Sequence, residues 1–161
     1  MTVGTSLEAI EQVYRGRSRD FFRFALAVVG DADLAHEAVQ EGFVRAIRAR
    51  STFRGRGQLE AWVARCVVNA ARDALRRRRA LPEERLSSAD LGPEMGLPDH
   101  DLRALVRELP ARQREVLFLR FYLDLDYASI GKALGIEVGT VSASLHAARE
   151  HLGRTLEEVT T

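Results

Sequence analysis

Residues 127 to 152 read Tyr-Ala-Ser-Ile-Gly-Lys-Ala-Leu-Gly-Ile-Glu-Val-Gly-Thr-Val-Ser-Ala-Ser-Leu-His-Ala-Ala-Arg-Glu-His-Leu. Ile130, Ala133 and Leu134 recur at helical spacing in the first part, and Val141, Leu145 and Ala148 recur in the second. Gly135 suits a left-handed helix end, from which Ile136 folds back onto the apolar seam. Val138-Gly139-Thr140 opens the second helix, where the Thr140 hydroxyl can satisfy free amides. This is a helix-turn-helix pattern, a motif whose second helix usually enters a DNA major groove.

Working outward, the rest of the chain also follows helical periods. Of 161 residues, 24 are basic and 23 acidic, which leaves a formal charge of +1. The balance is uneven along the chain: residues 1–79 hold 15 Arg against 9 acidic residues, a net +6, whereas 80–161 hold 9 basic against 14 acidic residues, a net −5. The two parts are electrostatically different objects. Helices are expected from Leu7 to Val29, weakened in the middle by Gly16, and from Ala32 to Ala49, with Asp31 or Asp33 as cap. A break at Ser51 to Gln58 carries Phe53, Arg54 and Arg56 between glycines, which leaves long donors able to reach phosphate; an ordinary surface loop is the plainer reading. A third helix from Leu59 to Arg79 presents Trp62, Val63, Cys66, Val67, Ala70 and Leu75 to a core and ends in four consecutive arginines.

Residues 45–79 carry 11 Arg against Glu60 and Asp73, a net +9, the strongest electrostatic footprint in the chain. Four arginines exceed what a helix dipole requires, and nucleic-acid contact is preferred over a solvated charge run. Residues 80–100, with Pro82, Pro93, Pro98, Gly92 and Gly96, have linker composition. Beyond them come a short helix from Asp101 to Glu108, a helix begun by Leu109-Pro110 and the helix-turn-helix, a four-helix unit. The expected architecture is all-α, with domains at 1–79 and 101–161 joined by a linker at 80–100.

Other function classes fare poorly. The single cysteine, Cys66, permits no intramolecular disulfide and reads as a buried thiol beside Val67 and Val68. His36, His100, His146 and His151 have no metal-ligand spacing, and no phosphate-cradling glycine loop precedes a helix, so neither an enzyme nor a cofactor or metal is expected. No apolar run reaches 18 residues, which excludes membrane insertion by a helix and places the expected location in the cytoplasm.

Taken together, the chain resembles the extracytoplasmic-function group of bacterial RNA polymerase sigma factors, which have two helical domains called region 2 and region 4. Glu37-Ala38-Val39-Gln40-Glu41-Gly42-Phe43 resembles the family's Asp-Leu-Val-Gln-Glu-Val-Phe pattern, with Gly42 a departure expected to loosen the helix. Phe53-Arg54-Gly55 followed by Leu59, Trp62 and Val63 resembles Phe-Arg-Gly...Phe-x-x-Trp-Leu. Asn69, Asp73, Arg76 and Arg77 match Arg-Asn-x-x-x-Asp-x-x-Arg-Arg, with Val68 in place of the first Arg. Leu109-Pro110-Ala111-Arg112-Gln113-Arg114-Glu115-Val116, Val138-Gly139-Thr140-Val141 and Leu145-His146 are nearly the family's own wording.

The resemblance implies a factor that binds core RNA polymerase and directs initiation at a promoter. It assigns Glu37, Gln40, Glu41 and Arg45, otherwise a solvated face, to the polymerase. It assigns Phe53, Arg54, Arg56, Asn69, Arg72, Arg76 and Arg77 to the minus 10 element, where a flipped base must recover its unstacking energy. Trp62 is read as structural. The minus 35 readers would be Thr140, Ser142, Ser144, His146 and Arg149, but this recognition helix departs from the family's Val-Gly-Thr-Val-Lys-Ser-Arg-Leu-His-Arg-Ala-Arg. Ser142, Ala143, Ser144 and Ala147 stand where Lys, Ser, Arg and Arg are expected, and short hydroxyls read bases less well than long donors. One alternative is that the C-terminal domain mainly binds a protein, an anti-sigma or auxiliary factor. Another is a regulator that acts on DNA without polymerase, against which the Glu37 to Arg45 match argues.

Overall fold

The computed structural model describes residues 4–55, 58–80 and 100–160. They form seven α-helices: α1 Leu7–Val29, α2 Ala32–Arg48, α3 Leu59–Arg79, α4 His100–Glu108, α5 Ala111–Phe121, α6 Tyr127–Leu134 and α7 Val138–Thr160, with a 3-10 turn at Arg50–Thr52. The linker expected at 80–100 lies, from residue 81 to 99, outside the described residues, as does Arg56.

Local chemistry sets most of the helix ends. The Ser6 hydroxyl accepts the Ala9 amide at the start of α1, and Gly30, at φ 71°, closes it by donating to the Leu26 carbonyl. Asp31, immediately following, accepts the Leu34 amide and opens α2. Helix α1 runs unbroken through Gly16. Pro110 stands just outside α5 rather than in its first turn, and its carbonyl accepts the Arg114 amide. Helix α7 begins at Val138, so Thr140 lies inside the first turn instead of capping it, and the amides of Thr140 and Val141 both donate to the Glu137 carbonyl.

Helices α1, α2 and α3 pack on one another as a first cluster, and α5, α6 and α7 as a second, with α4 against α7. Phe21, Phe24, Ile10, Leu26 and Val63 fill the first; Leu119, Leu123, Leu125, Ile130 and Leu145 fill the second. Each such side chain contributes about 1.5–3 kcal/mol on burial, largely offset by the chain entropy lost on folding. Phe43 joins α1 to α2, with Tyr14 and Phe21 edge-on to its ring at 5.0 and 5.3 Å between centroids.

Gly42 corrects the expectation of a loosened helix. It is buried, and a Cβ there would lie 2.7 Å from the Cα of Val67 and 2.7 Å from its Cγ2. The missing side chain lets α2 and α3 cross in near backbone contact. Val68, the other departure from the family pattern, is fully buried and adds apolar area to the same cluster. Cys66 is half-buried against the core rather than fully enclosed, and desolvation pushes its thiol pKa up despite the nearby Arg65 and Arg45.

The two clusters also pack against each other, α3 on α6 and α1 on α5, and their buried side chains form a continuous core. Arg17 of α1 donates to the Leu123 carbonyl at 2.6 Å and lies 3.4 Å from the carboxylate of Asp124 and 3.7 Å from that of Glu60. Asp124 adopts φ 52°, the left-handed conformation that turns the chain from α5 toward α6. The Arg23 guanidinium of α1 covers the Tyr122 ring from 5.3 Å.

Candidate nucleic-acid interface

Helix α3 places its polar residues by its period. With Val63, Ala64, Val67, Val68, Ala70, Ala71 and Ala74 turned to the core, the opposite stripe carries Trp62, Arg65, Asn69, Arg72 and Arg76 at spacings of three and four. Asn69, Arg72, Asp73, Leu75, Arg76 and Arg79 line one open recess. Arg76 pairs with Asp73 one turn back and is 74% exposed. Arg78 does something different from its neighbours: its guanidinium donates to the Val29 carbonyl and fastens the end of α1 to α3.

Arg72 is drawn into the seam between the clusters. Its guanidinium makes a two-pronged contact with the Glu115 carboxylate of α5, Nε to Oε1 at 3.3 Å and Nη2 to Oε2 at 3.2 Å, while Nη1 donates to the Leu134 carbonyl at the end of α6 at 3.4 Å. Sequence reading missed this pairing, because the partners stand 43 residues apart and only the fold unites them.

At the start of α3, the ring of Phe53 meets Trp62 edge-on at 5.6 Å, with both half-buried and Arg54 exposed beside them. Trp62 packs against the core, as its apolar spacing suggests. Gln58, Ala61, Trp62 and Arg65 face Ser129, Lys132 and Ala133 of α6 across a small recess.

A second open groove runs between α2 and α3. Glu37, Gln40, Glu41, Val44 and Arg45 line it together with Asp73 and Arg77, so the four residues singled out on α2 do share one face, with Arg77 opposite. Arg45 is committed within it, its Nε 3.2 Å from Glu41 and its Nη2 2.9 Å from Asp73. A continuous Glu41, Arg45, Asp73, Arg76 chain of charges therefore ties α2 to α3.

Helix α6 is fixed by the Asp126 cap, which accepts the Ser129 amide at 2.7 Å and is held below its usual carboxylate pKa mainly by that bond and by the Ser129 hydroxyl. Gly135, at φ 72°, closes it, and Ile136 donates back to the Gly131 carbonyl at 2.9 Å. This is the tight turn of a helix-turn-helix. On α7, Thr140, Ser142 and His146 are exposed and Ser144 is partly covered. His146 lies 3.3 Å from Glu150 on its own helix. Arg149, the long donor retained on this helix, rests with its guanidinium 5.7 Å from the centre of the exposed Phe121 ring. Among the described residues there is no group of three or more His, Cys, Asp or Glu placed to hold a metal ion, and no helix long and apolar enough to cross a membrane.

Comparisons with known proteins agree with this layout. Residues 13–81 match the Sigma-70 region 2 family and residues 99–152 the Sigma-70, region 4 family. The RNA polymerase sigma factor SigV of Bacillus subtilis is 31% identical over 81% of this chain and 80% of its own length. The ECF RNA polymerase sigma factor SigM of Mycobacterium tuberculosis is 31% identical over 95% of this chain and 80% of its own. In three dimensions the chain resembles the sigma factor RpoE from Bartonella quintana, solved in complex with the anti-sigma factor NepR. The TM-score is 0.73 at 21% identity, over 93% of this chain and 95% of that one. Two matched regions in the family's order, and relatives similar over most of both lengths, establish that this chain belongs to the extracytoplasmic-function group of RNA polymerase sigma factors, which are non-catalytic initiation factors.

Proposed function

We propose that the chain divides promoter-directed initiation unequally between its two clusters. Residues 1–79 form the domain that docks on core polymerase through the α2 groove of Glu37, Gln40, Glu41 and Arg45 and engages the minus 10 element. Phe53, Arg54 and Arg56 supply the capture loop, and Asn69, Arg72, Arg76 and Arg77 supply contacts along α3. The observation that carries this reading is the α3 stripe: Asn69, Arg72 and Arg76 line one open recess, and Trp62, on the same stripe toward the start of the helix, meets the Phe53 ring. Arginine forks suit phosphate oxygens, and aromatic rings suit an unstacked base.

Residues 101–161 form the second domain, and its main role in this reading is to bind a protein, an anti-sigma or auxiliary factor. The start of α7 offers exposed Thr140, Ser142 and His146 and a partly covered Ser144, all short of long donors, and Arg149 lies against Phe121, so the minus 35 contact is weak in this reading. Support also comes from the fold's likeness to a sigma factor solved with its anti-sigma partner.

The test is to mix the purified chain with core polymerase and map transcript starts on genomic DNA fragments. Defined starts that depend on the chain support the proposal. Core binding without any defined start would contradict it.

A further inference from the structure

The backbone just ahead of α1 and the turn just ahead of the capture loop meet at one oxygen. The Arg50 carbonyl accepts the Thr5 amide at 3.0 Å and the Phe53 amide at 3.4 Å. Thr5 precedes the Ser6 cap of α1, and Phe53 follows the 3-10 turn as the first residue of the loop assigned above to the minus 10 element. Gly4 lets the two stretches of backbone come this close. It adopts φ 132°, a conformation side chains rarely allow, and a Cβ there would stand 3.2 Å from both the Arg50 carbonyl oxygen and the Ser51 Cα.

Both sides of this contact are held. On one side the Ser6 hydroxyl accepts the Ala9 amide and Ile10 is fully buried, so Gly4 and Thr5 hang from an anchored helix start. On the other, Arg50 Nη1 donates to the Ile47 carbonyl at 2.8 Å and the Thr52 hydroxyl to the Ala49 carbonyl at 2.7 Å, which brace the turn on the end of α2. Phe53 then leaves the turn extended, at φ −65° and ψ 124°, with its ring against Trp62. Beyond it Arg54 is exposed, and Gly55, at φ 68°, has open space around it. The direction of the loop is therefore set at its root, where Phe53 is tied to Arg50. An unstacked base is held only by contacts already in place when it arrives, because they must recover the energy of unstacking.

We propose that Gly4 and Thr5 are positioning residues for base capture: they fix the Arg50 carbonyl, and through it the Phe53 amide, so that Phe53 and Arg54 stand ready for an unstacked minus 10 base. This rests on the assignment of Phe53 and Arg54 to the minus 10 element made above.

The experiment uses the full chain with core polymerase on promoter templates that carry each of the four bases in turn at every minus 10 position. The readout is the ratio of product from the best and the worst base at the most discriminating position, with core affinity and melting temperature measured alongside. Thr5→Pro removes the amide, and Gly4→Val sets a side chain against Arg50. Each should lower the ratio about three- to tenfold and leave core affinity within about twofold of the wild type. Thr5→Ser, which keeps the amide, should retain the wild-type ratio. So should Asp126→Ala, which loses the α6 cap and with it stability at a distance from the loop.

A wild-type ratio in folded Thr5→Pro and Gly4→Val, where Phe53→Ala lowers it, would overturn the positioning role alone. A fall of the same size in Asp126→Ala would do so too, by showing that the ratio follows stability, and so would a parallel loss of core affinity in Thr5→Pro and Gly4→Val. Failure of the capture assignment has a different signature: Phe53→Ala and Arg54→Gln would themselves keep the wild-type ratio, and assignment and positioning role would fall together.

Discussion

Helices α3 and α7 are the two candidate DNA readers, and they reach their surfaces by opposite routes. Helix α7 has the better local geometry, presented by a capped α6 and a glycine turn, yet its outward side chains are short and its Arg149 rests on Phe121. Helix α3 has no such motif, but its period sorts alanine and valine inward and asparagine and arginine outward. Geometry identifies the fold, and the proposal that α3 holds the nucleic acid rests on side-chain chemistry. A helix-turn-helix is therefore poor evidence of sequence reading unless its second helix carries donors long enough to reach a base edge.

The largest expected effect tests whether α3 owes its position to Gly42. Gly42→Val would drive Cγ atoms into the backbone of Val67 and should cost about 3 kcal/mol, lowering the melting temperature by roughly 10 °C in calorimetry. A melting temperature unchanged within error would mean that α2 and α3 do not cross as closely as described.

Next in size is the direct contrast between the helices. Arg76→Gln with Arg77→Gln should weaken DNA binding by about tenfold or more at moderate salt and flatten the salt dependence by about one counterion per arginine. Ser142→Ala with Ser144→Ala should change binding less than about threefold. Equal losses from the two pairs would erase the distinction.

A smaller effect concerns the α6 scaffold. Asp126→Ala should cost about 1 kcal/mol through loss of the cap. Because the folded state holds the Asp126 carboxylate below its ordinary pKa, its contribution is present above the ordinary carboxylate range and is lost as pH falls through the lowered value. The wild type and Asp126→Ala should thus differ in thermal stability at neutral pH and converge in acid; a gap that widened in acid would contradict the assignment.

The helices were largely legible in the sequence because their ends are set locally. Gly30, Asp31, Asp126 and Gly135 act on amides and carbonyls within a few residues. Thr140 was misread because helix starts are defined by the first turn, and a hydroxyl two residues inside it looks much like a cap. Gly42 was misread for a different reason: propensity describes an isolated helix, whereas the spacing of α2 and α3 is a tertiary fact. The α2 face at Glu37, Gln40, Glu41 and Arg45 followed from helical spacing, but its tie to Asp73 did not. Arg72 with Glu115 and Arg17 with the Leu123 carbonyl were invisible because nothing near either residue in sequence marks the partner.

The most direct test is chain-dependent transcription by core polymerase from a mapped promoter whose minus 10 and minus 35 elements are scrambled one at a time. An α3-centred sigma factor should lose nearly all product when the minus 10 element is scrambled and stay within about threefold of the intact template when the minus 35 element is scrambled. Loss of product from the minus 35 template as complete as from the minus 10 template would contradict the account and return sequence reading to α7.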